Sequence, residues 1–161
     1  MRVLLPAAVL LLWLASASAL GEEKKRDLLK PSFSVGFSYP LVVSASLGAM
    51  LPLGKEEHDY PIPETVSLRL DGEVGLGGGS VGAGVFVPTD YVTVSAKAVR
   101  LRTWLLTWNE EKDRTFDGGV IEFAMPTAHG GPKIGLGKFK DREPLNGTRD
   151  KFTYVFIGVG W

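Results

Sequence analysis

Residues 66–76 read Val-Ser-Leu-Arg-Leu-Asp-Gly-Glu-Val-Gly-Leu, and their polarity alternates with a period of two. Because a β-strand points successive side chains to opposite faces, this stretch predicts a strand with one apolar and one charged face. In a soluble sheet the charged face would contact water and the apolar face would pack in the core. In a transmembrane barrel the apolar face contacts lipid and the charged face lines the lumen. This one strand is compatible with both arrangements.

The alternation continues on both sides of this stretch. Every odd-numbered residue from Phe33 to Leu53 is apolar or small, over a length that exceeds one ordinary strand. The dipeptides Gly78-Gly79 and Thr89-Asp90 each precede a change in the parity of the apolar residues, as a two-residue hairpin turn requires. These signals predict a meander of antiparallel neighbours.

Beyond Ala98 the parity changes again without a turn signal, because Val99 and Leu101 now alternate with arginines. We expect either a β-bulge near Ala98 or a turn that the sequence does not mark. Further strands are predicted at residues 120–125, 133–140 and 151–161.

These patterns give seven strand segments, and single-chain outer-membrane barrels have an even number of strands, so we expect eight. The additional turn would lie either at Tyr39-Pro40 or near Ala98. A turn at Tyr39-Pro40 places the charged connections 109–117 and 141–150 at one end of the barrel and 54–65 at the other. A turn near Ala98 places all three connections at the same end.

The last eleven residues form another alternating strand. Its apolar face carries Thr153, Val155, Ile157, Val159 and Trp161. A terminal aromatic residue that closes such a strand resembles the C-terminal strand of bacterial outer-membrane β-barrels, the segment that their assembly machinery is thought to read. The resemblance is to this structural class, covers most of the chain through its alternation, and brings no functional motif of a single family.

This resemblance implies an all-β fold, an antiparallel up-and-down transmembrane β-barrel of about eight strands, in the outer membrane of a Gram-negative bacterium. It also implies that Val155, Ile157, Val159 and Trp161 act as an assembly signal. The expected partners are outer-membrane lipid and the barrel-assembly machinery.

The N-terminal residues have the layout of a secretory signal peptide. Met1-Arg2 is followed by an apolar run, Val3–Leu14, and by the small residues Ala15–Ala19. We expect residues 1–19 to be a cleaved signal peptide, residues 20–32 a charged lead-in, and residues 33–161 the barrel domain. The apolar run is too short to be a comfortable membrane-spanning helix, and no second run of about 18 apolar residues follows.

Composition excludes several classes of function. The formal net charge is zero, with 18 basic and 18 acidic residues, so the chain offers no overall field for binding nucleic acid. Cysteine is absent, which excludes disulfides, thiolate metal sites and cysteine nucleophiles. Twenty glycines and ten prolines disfavour long helices.

The charged faces of the predicted strands would meet in the barrel lumen. Their ionisable members are Arg69, Asp71, Glu73, Lys97, Arg100, Arg102 and Glu122. An eight-stranded barrel is only wide enough for its own side chains, so we expect these charges to pair in a packed ionic network. The alternative is a narrow pore or ligand site lined by Arg100 and Arg102. Trp104, Trp108 and Trp161 are expected in aromatic belts at the membrane interfaces.

The sequence offers little material for catalysis or for cofactor or metal binding. His58 and His129 both lie in predicted connections, and neither has a serine at a spacing that would form a nucleophile–base pair. The leading hypothesis is therefore an outer-membrane barrel with a structural, adhesive or small-solute role. One alternative is a soluble periplasmic or secreted barrel that binds an apolar ligand inside. Another is a membrane-embedded lipid hydrolase that depends on His129.

Overall fold

The computed structural model describes residues 29–55, 62–104, 113–125, 127, 130–143 and 150–160. Eight antiparallel strands close into a barrel in which each strand pairs with its sequence neighbours and β8 pairs with β1. The strands are β1 Lys30–Tyr39, β2 Val42–Pro52, β3 Ser67–Gly75, β4 Gly78–Val87, β5 Thr93–Thr103, β6 Thr115–Ala124, β7 Gly131–Asp141 and β8 Lys151–Gly160. The predicted all-β, eight-stranded up-and-down barrel is confirmed. The described residues include no helix long and apolar enough to cross a membrane.

The additional turn lies at Tyr39-Pro40, which is one of the two positions that the sequence left open. β1 ends at Tyr39 and β2 begins at Val42, whereas β5 continues unbroken from Thr93 to Thr103. We call the end where β1 begins and β8 stops the terminal end, and the other the far end. The 53–66 connection lies at the terminal end, and the 104–114 and 142–150 connections lie at the far end.

Two predicted hairpin turns are displaced, although their parity is correct. Gly75 pairs with Gly78, so the turn between β3 and β4 is Leu76-Gly77 rather than Gly78-Gly79. The ladder with β2 explains the shift, because the backbone N–H of Gly77 donates to the carbonyl of Leu41 at 3.0 Å. Between β4 and β5 the last pair is Val87 with Val94, which leaves a longer loop than the predicted Thr89-Asp90 turn.

Three strands begin earlier than the sequence indicated, and one of them is β7, which starts at Gly131 rather than at Lys133. β1 starts at Lys30, inside the predicted lead-in, and β6 starts at Thr115 rather than at Val120. The first half of β6 contains Gly118 and Gly119, which have low strand propensity. Pairing with the two neighbouring strands holds this segment extended, because Gly118 pairs with Val99 on one side and with Phe139 on the other.

The polarity of the barrel wall is inverted relative to a soluble sheet. Leu70 and Phe37 point outward and are 62% and 70% exposed, whereas Arg69 and Asp71 point inward and are 4% and 5% exposed. Leucine, isoleucine and valine residues point outward on most strands, whereas the rings of Phe116, Phe139 and Phe152 point inward. In a soluble binding barrel the apolar set would surround a cavity, but here it forms the outer surface.

β5 contains no bulge, which corrects the sequence-based expectation. It pairs residue by residue with β4 and β6, so Val99 and Leu101 point inward and Arg100 and Arg102 point outward. The same alternate residues of β5 face the lumen along the whole strand. What changes along the barrel is whether each face carries polar or apolar side chains. Towards the far end the interior becomes apolar and the outer wall of β5 becomes cationic.

Candidate functional site

The interior near the middle of the barrel holds a compact group of ionised side chains, which we call the ionic network. It consists of Arg69 and Asp71 from β3, Lys97 from β5, Glu122 from β6 and Lys133 from β7. Their alternating positions aim all five side chains at the barrel axis, where each is almost completely buried.

Glu122 is the centre of the ionic network because three cations reach its carboxylate. Arg69 Nη1 lies 3.0 Å from Oε2, Lys97 Nζ lies 2.9 Å from Oε1, and Lys133 Nζ lies 3.1 Å from Oε2. Asp71 contacts two of the same cations, with Arg69 Nε at 2.8 Å and Lys97 Nζ at 3.0 Å. Each ion is therefore paired with opposite charge, which buried ions require.

Small hydroxyl residues fill the space around the ionic network. The Ser95 hydroxyl donates to Glu122 Oε2 at 3.1 Å. Lys133 Nζ donates to Ser34 Oγ at 3.4 Å, and Ser34 is in turn 2.6 Å from Ser46 Oγ. The serines on even positions of β1 and β2 thus line the polar half of the lumen.

Glu73 lies apart from the other carboxylates and is held by hydroxyl groups. The Tyr154 hydroxyl donates to its Oε2 at 3.0 Å, and Ser44 donates to its Oε1 at 2.5 Å. A second serine, Ser38, contacts Oε1 at 3.3 Å. Glu73 lies in the lumen, as its parity predicted, but its neighbours are neutral donors rather than the expected ions.

An aromatic stack fills the far half of the lumen. The rings of Phe139 and Phe152 are parallel with centroids 5.2 Å apart, and Phe116 meets Phe152 edge to face at 4.8 Å. Tyr39 also contacts Phe152 at 5.9 Å, and Leu41 from the β1–β2 turn is completely buried in the same cluster. Ring pairs at these separations and angles are favourable beyond the area that they bury.

Glycines opposite the rings explain how bulky side chains fit into so narrow a barrel. A Cβ atom on Gly36 or Gly158 would lie 2.9 or 2.7 Å from the Phe156 ring. A Cβ atom on Gly118 would lie 2.7 Å from Phe139, its partner on β7. These glycines leave the space that the aromatic side chains occupy.

The predicted lumen residues divide into two groups. The structure brings together Arg69, Asp71, Lys97 and Glu122, and it places Glu73 nearby. Arg100 and Arg102 are not in the lumen, because they lie on the outward parity of β5. The alternative of a pore or ligand site lined by these two arginines does not fit their outward position.

Lys133 is a member of the ionic network that sequence analysis missed. A usable signal was present, because Lys133 alternates with Ile134 and Leu136 in the predicted strand and so belongs to its polar face. Arg114 and Asp141 form a second buried ion pair, at the far end of the lumen. Arg114 precedes β6, in a connection where alternation gives no guidance.

The predicted interface and assembly residues are only partly described. Trp104 is half-buried just beyond β5, and its ring packs over Gly79. Val155, Ile157 and Val159 point outward and are exposed. Trp108, Trp161, His58 and His129 lie outside the described residues. Within the described ranges, no group of three or more His, Cys, Asp or Glu side chains is placed to hold a metal ion.

Outward-facing charge on the strands is confined to one side of the barrel. Arg100 and Arg102 on β5, Lys138 and Lys140 on β7, and Lys151 on β8 form what we call the cationic band. Asp117 on β6 is the sole outward carboxylate of the eight described strands, and it binds Arg100 at 2.7 Å.

No family model matches this chain, and no curated protein or solved structure is significantly similar to it.

Proposed function

We propose that this chain is an integral outer-membrane β-barrel with a structural role, a closed scaffold that holds its connecting segments at the membrane surface. The inverted polarity of the wall carries the proposal. An apolar outer surface of leucine, valine, isoleucine and phenylalanine is costly in water but favourable against hydrocarbon.

Closure of the sheet supports the same proposal. Hydrocarbon provides no hydrogen-bond partners, so a strand can cross it only if both of its edges are paired. The pairing of β8 with β1 provides this, from Ser34 with Gly160 to Tyr39 with Val155. The strands contain 9 to 11 residues, which matches the length that a tilted strand needs to cross a bilayer.

The filled lumen favours a scaffold over a conduit. The ionic network blocks the middle of the barrel and the aromatic stack blocks its far half. Solute passage would require breaking buried ion pairs or displacing packed rings. We therefore favour a structural or adhesive role over transport of a small solute.

Fractionation tests the membrane location. The full chain, expressed with its own N-terminal residues in a Gram-negative host, is expected to sediment with outer membranes and to resist carbonate extraction. Unheated samples should also migrate differently from heated ones on gels. Recovery of the folded protein in the osmotic-shock fraction would contradict the proposal.

Electrical recording tests the closed lumen separately. Purified protein in a planar bilayer is expected to add no conductance beyond that of the lipid. Stable channel openings would contradict the scaffold role while leaving the membrane location intact.

A further inference from the structure

The outer wall of β5–β8 combines two features in adjacent rows of paired residues. One row runs Arg100, Asp117, Lys140 and Lys151 across the four strands. The next row towards the terminal end runs Ala98, Gly119, Lys138 and Thr153. The row after that begins with Ala96, Ile121 and Leu136 and is apolar.

The middle row is recessed and forms an apolar groove in the wall. Ala98 and Gly119 form its floor, since their side chains extend no further than a methyl group. Ile121 and Leu136 form its apolar side, and Lys138, a member of the cationic band, lies at its edge. The groove is overwhelmingly apolar, so its surface suits a hydrocarbon chain better than water.

The carboxylates described on the outer wall do not neutralise the cationic band. Arg100 is engaged by Asp117, and Arg142, just after β7, adds a further positive charge near that carboxylate. Arg102, Lys138, Lys140 and Lys151 have no carboxylate partner among the described residues. The exposed acids Asp113, Glu143 and Asp150 lie beyond the strand ends rather than on the wall.

The opposite half of the wall provides a contrast. At the positions that pair with the arginines of β5, strand β4 carries Val81 and Gly79. No outward-facing charge occurs on β1–β4 within the described strands. If the charged residues served only to keep the barrel soluble, they would not need to lie on one half of its outer wall.

We propose that this face binds a membrane lipid with an anionic phosphate headgroup, its phosphate on the cationic band and one acyl chain in the groove. The proposal rests on the proposed function, because it needs the barrel to be embedded in lipid. Charge complementarity selects the headgroup, since several cations without a carboxylate partner among the described residues directly border an apolar surface. Each lysine near an anionic lipid surface contributes about 1 kcal/mol, or about fivefold in affinity.

The test compares binding of phosphatidylglycerol by barrels folded in zwitterionic detergent micelles. The Lys138→Gln, Lys140→Gln, Lys151→Gln triple variant removes headgroup charge, and Lys55→Gln, at the terminal end, is its charge control. Gly119→Leu fills the groove, and Gly72→Leu on β3 is its matched control. Both glycines face outward, and a Cβ atom on either would have its nearest neighbour at 3.8 Å.

Wild type and both controls are expected to retain phosphatidylglycerol through detergent washing and to melt at a higher temperature with it. Gly119→Leu should lose this retention, and the triple variant should bind about 100-fold more weakly. Equal retention by all variants would overturn the lipid site, as would equal competition by inorganic phosphate, which would indicate a site for free anions. A chain that folds in neither micelles nor vesicles would instead overturn the proposed function itself.

Discussion

Glu122 is a buried carboxylate in contact with three cations, and a substitution there affects every ion pair that they make with it. Arg69, Lys97 and Lys133 all lie within 3.1 Å of its oxygens. Burying ions costs free energy that only close pairing offsets, so such a group stabilises one arrangement of the lumen more than it stabilises folding as such.

Glu122→Gln is therefore expected to destabilise the barrel strongly, because it raises the surplus of buried positive charge in the ionic network from one to two. Breaking one side of a buried ion pair costs about 3–5 kcal/mol. Urea unfolding of the protein in lipid vesicles measures this change. Asp117→Asn, which breaks the exposed pair with Arg100, is the control and should have little effect. Equal effects of the two substitutions would contradict the described network.

A substitution of Leu70 tests whether the outer wall contacts hydrocarbon or water. It lies near the middle of β3, points outward and is flanked by Ala49 and Ala83 on the neighbouring strands. If Leu70 contacts hydrocarbon, Leu70→Lys should lower the free energy of unfolding in vesicles by about 2–4 kcal/mol. If it contacts water, the change should stay within about 0.5 kcal/mol.

Tyr91→Lys is the control for Leu70→Lys. Tyr91 is 85% exposed in the β4–β5 connection, so a lysine there should be tolerated in either environment. A neutral result for both substitutions would contradict a membrane-embedded wall.

Strand β5 shows how one element can change chemistry without changing geometry. Its inward residues run from Thr93 and Ser95 through Lys97 to Val99 and Leu101, so they pass from polar to apolar before the strand ends at the buried Thr103. Its outward residues pass from apolar to cationic over the same length. If each face of a strand is assumed to keep one chemistry, the exchange of apolar and charged residues between the faces of β5 is mistaken for a change of register.

Cysteine labelling can decide the register of β5, because the chain contains no cysteine of its own. Arg100→Cys and Arg102→Cys, which the proposed lipid site places at the level of the headgroups, are expected to react with a water-soluble maleimide in the folded, detergent-solubilised barrel. Val99→Cys and Leu101→Cys should react only after unfolding, since both positions are buried in the lumen. The reverse pattern would restore the bulge that the sequence suggested.

Barrel closure is the property that belongs to the whole molecule. The β1–β8 seam joins the two ends of the described chain, and glycines face each other across it at Gly36 and Gly158. A Cβ atom on Gly158 would overlap the carbonyl oxygen of Val35 and would also meet the Phe156 ring. The seam and the packing of the lumen therefore depend on the same glycine pair.

Gly158→Ala is expected to reduce the fraction of protein that closes, because the added methyl group pushes β8 away from β1. The readout is the fraction of protein that runs as the folded band on a gel after refolding into detergent. The folded band is the one that unheated samples show and heated samples lose. Gly72→Ala is the control, since a Cβ atom there has its nearest neighbour at 3.8 Å. Normal closure of Gly158→Ala would contradict the described seam.

The sequence by itself determined the class of fold and much of the lumen. Alternation in residues 66–76 and 33–53 gives strands with two unlike faces, and it assigned Arg69, Asp71 and Glu73 to the same side because side-chain direction depends only on parity. Turn positions and strand ends were harder to predict from the sequence. The pairing of Gly77 and Gly118 is determined by neighbouring strands rather than by local conformational preference.

Only the tertiary structure decided which residues meet and which side faces outward. The contacts of Lys133 with Glu122, and of Tyr154 with Glu73, join residues that are distant in sequence, and no local pattern records such distances. The outward position of Arg100 and Arg102 follows from the unbroken ladder of β5 with both neighbours. Alternation determines that two faces differ, but closure of the sheet determines which face becomes the interior.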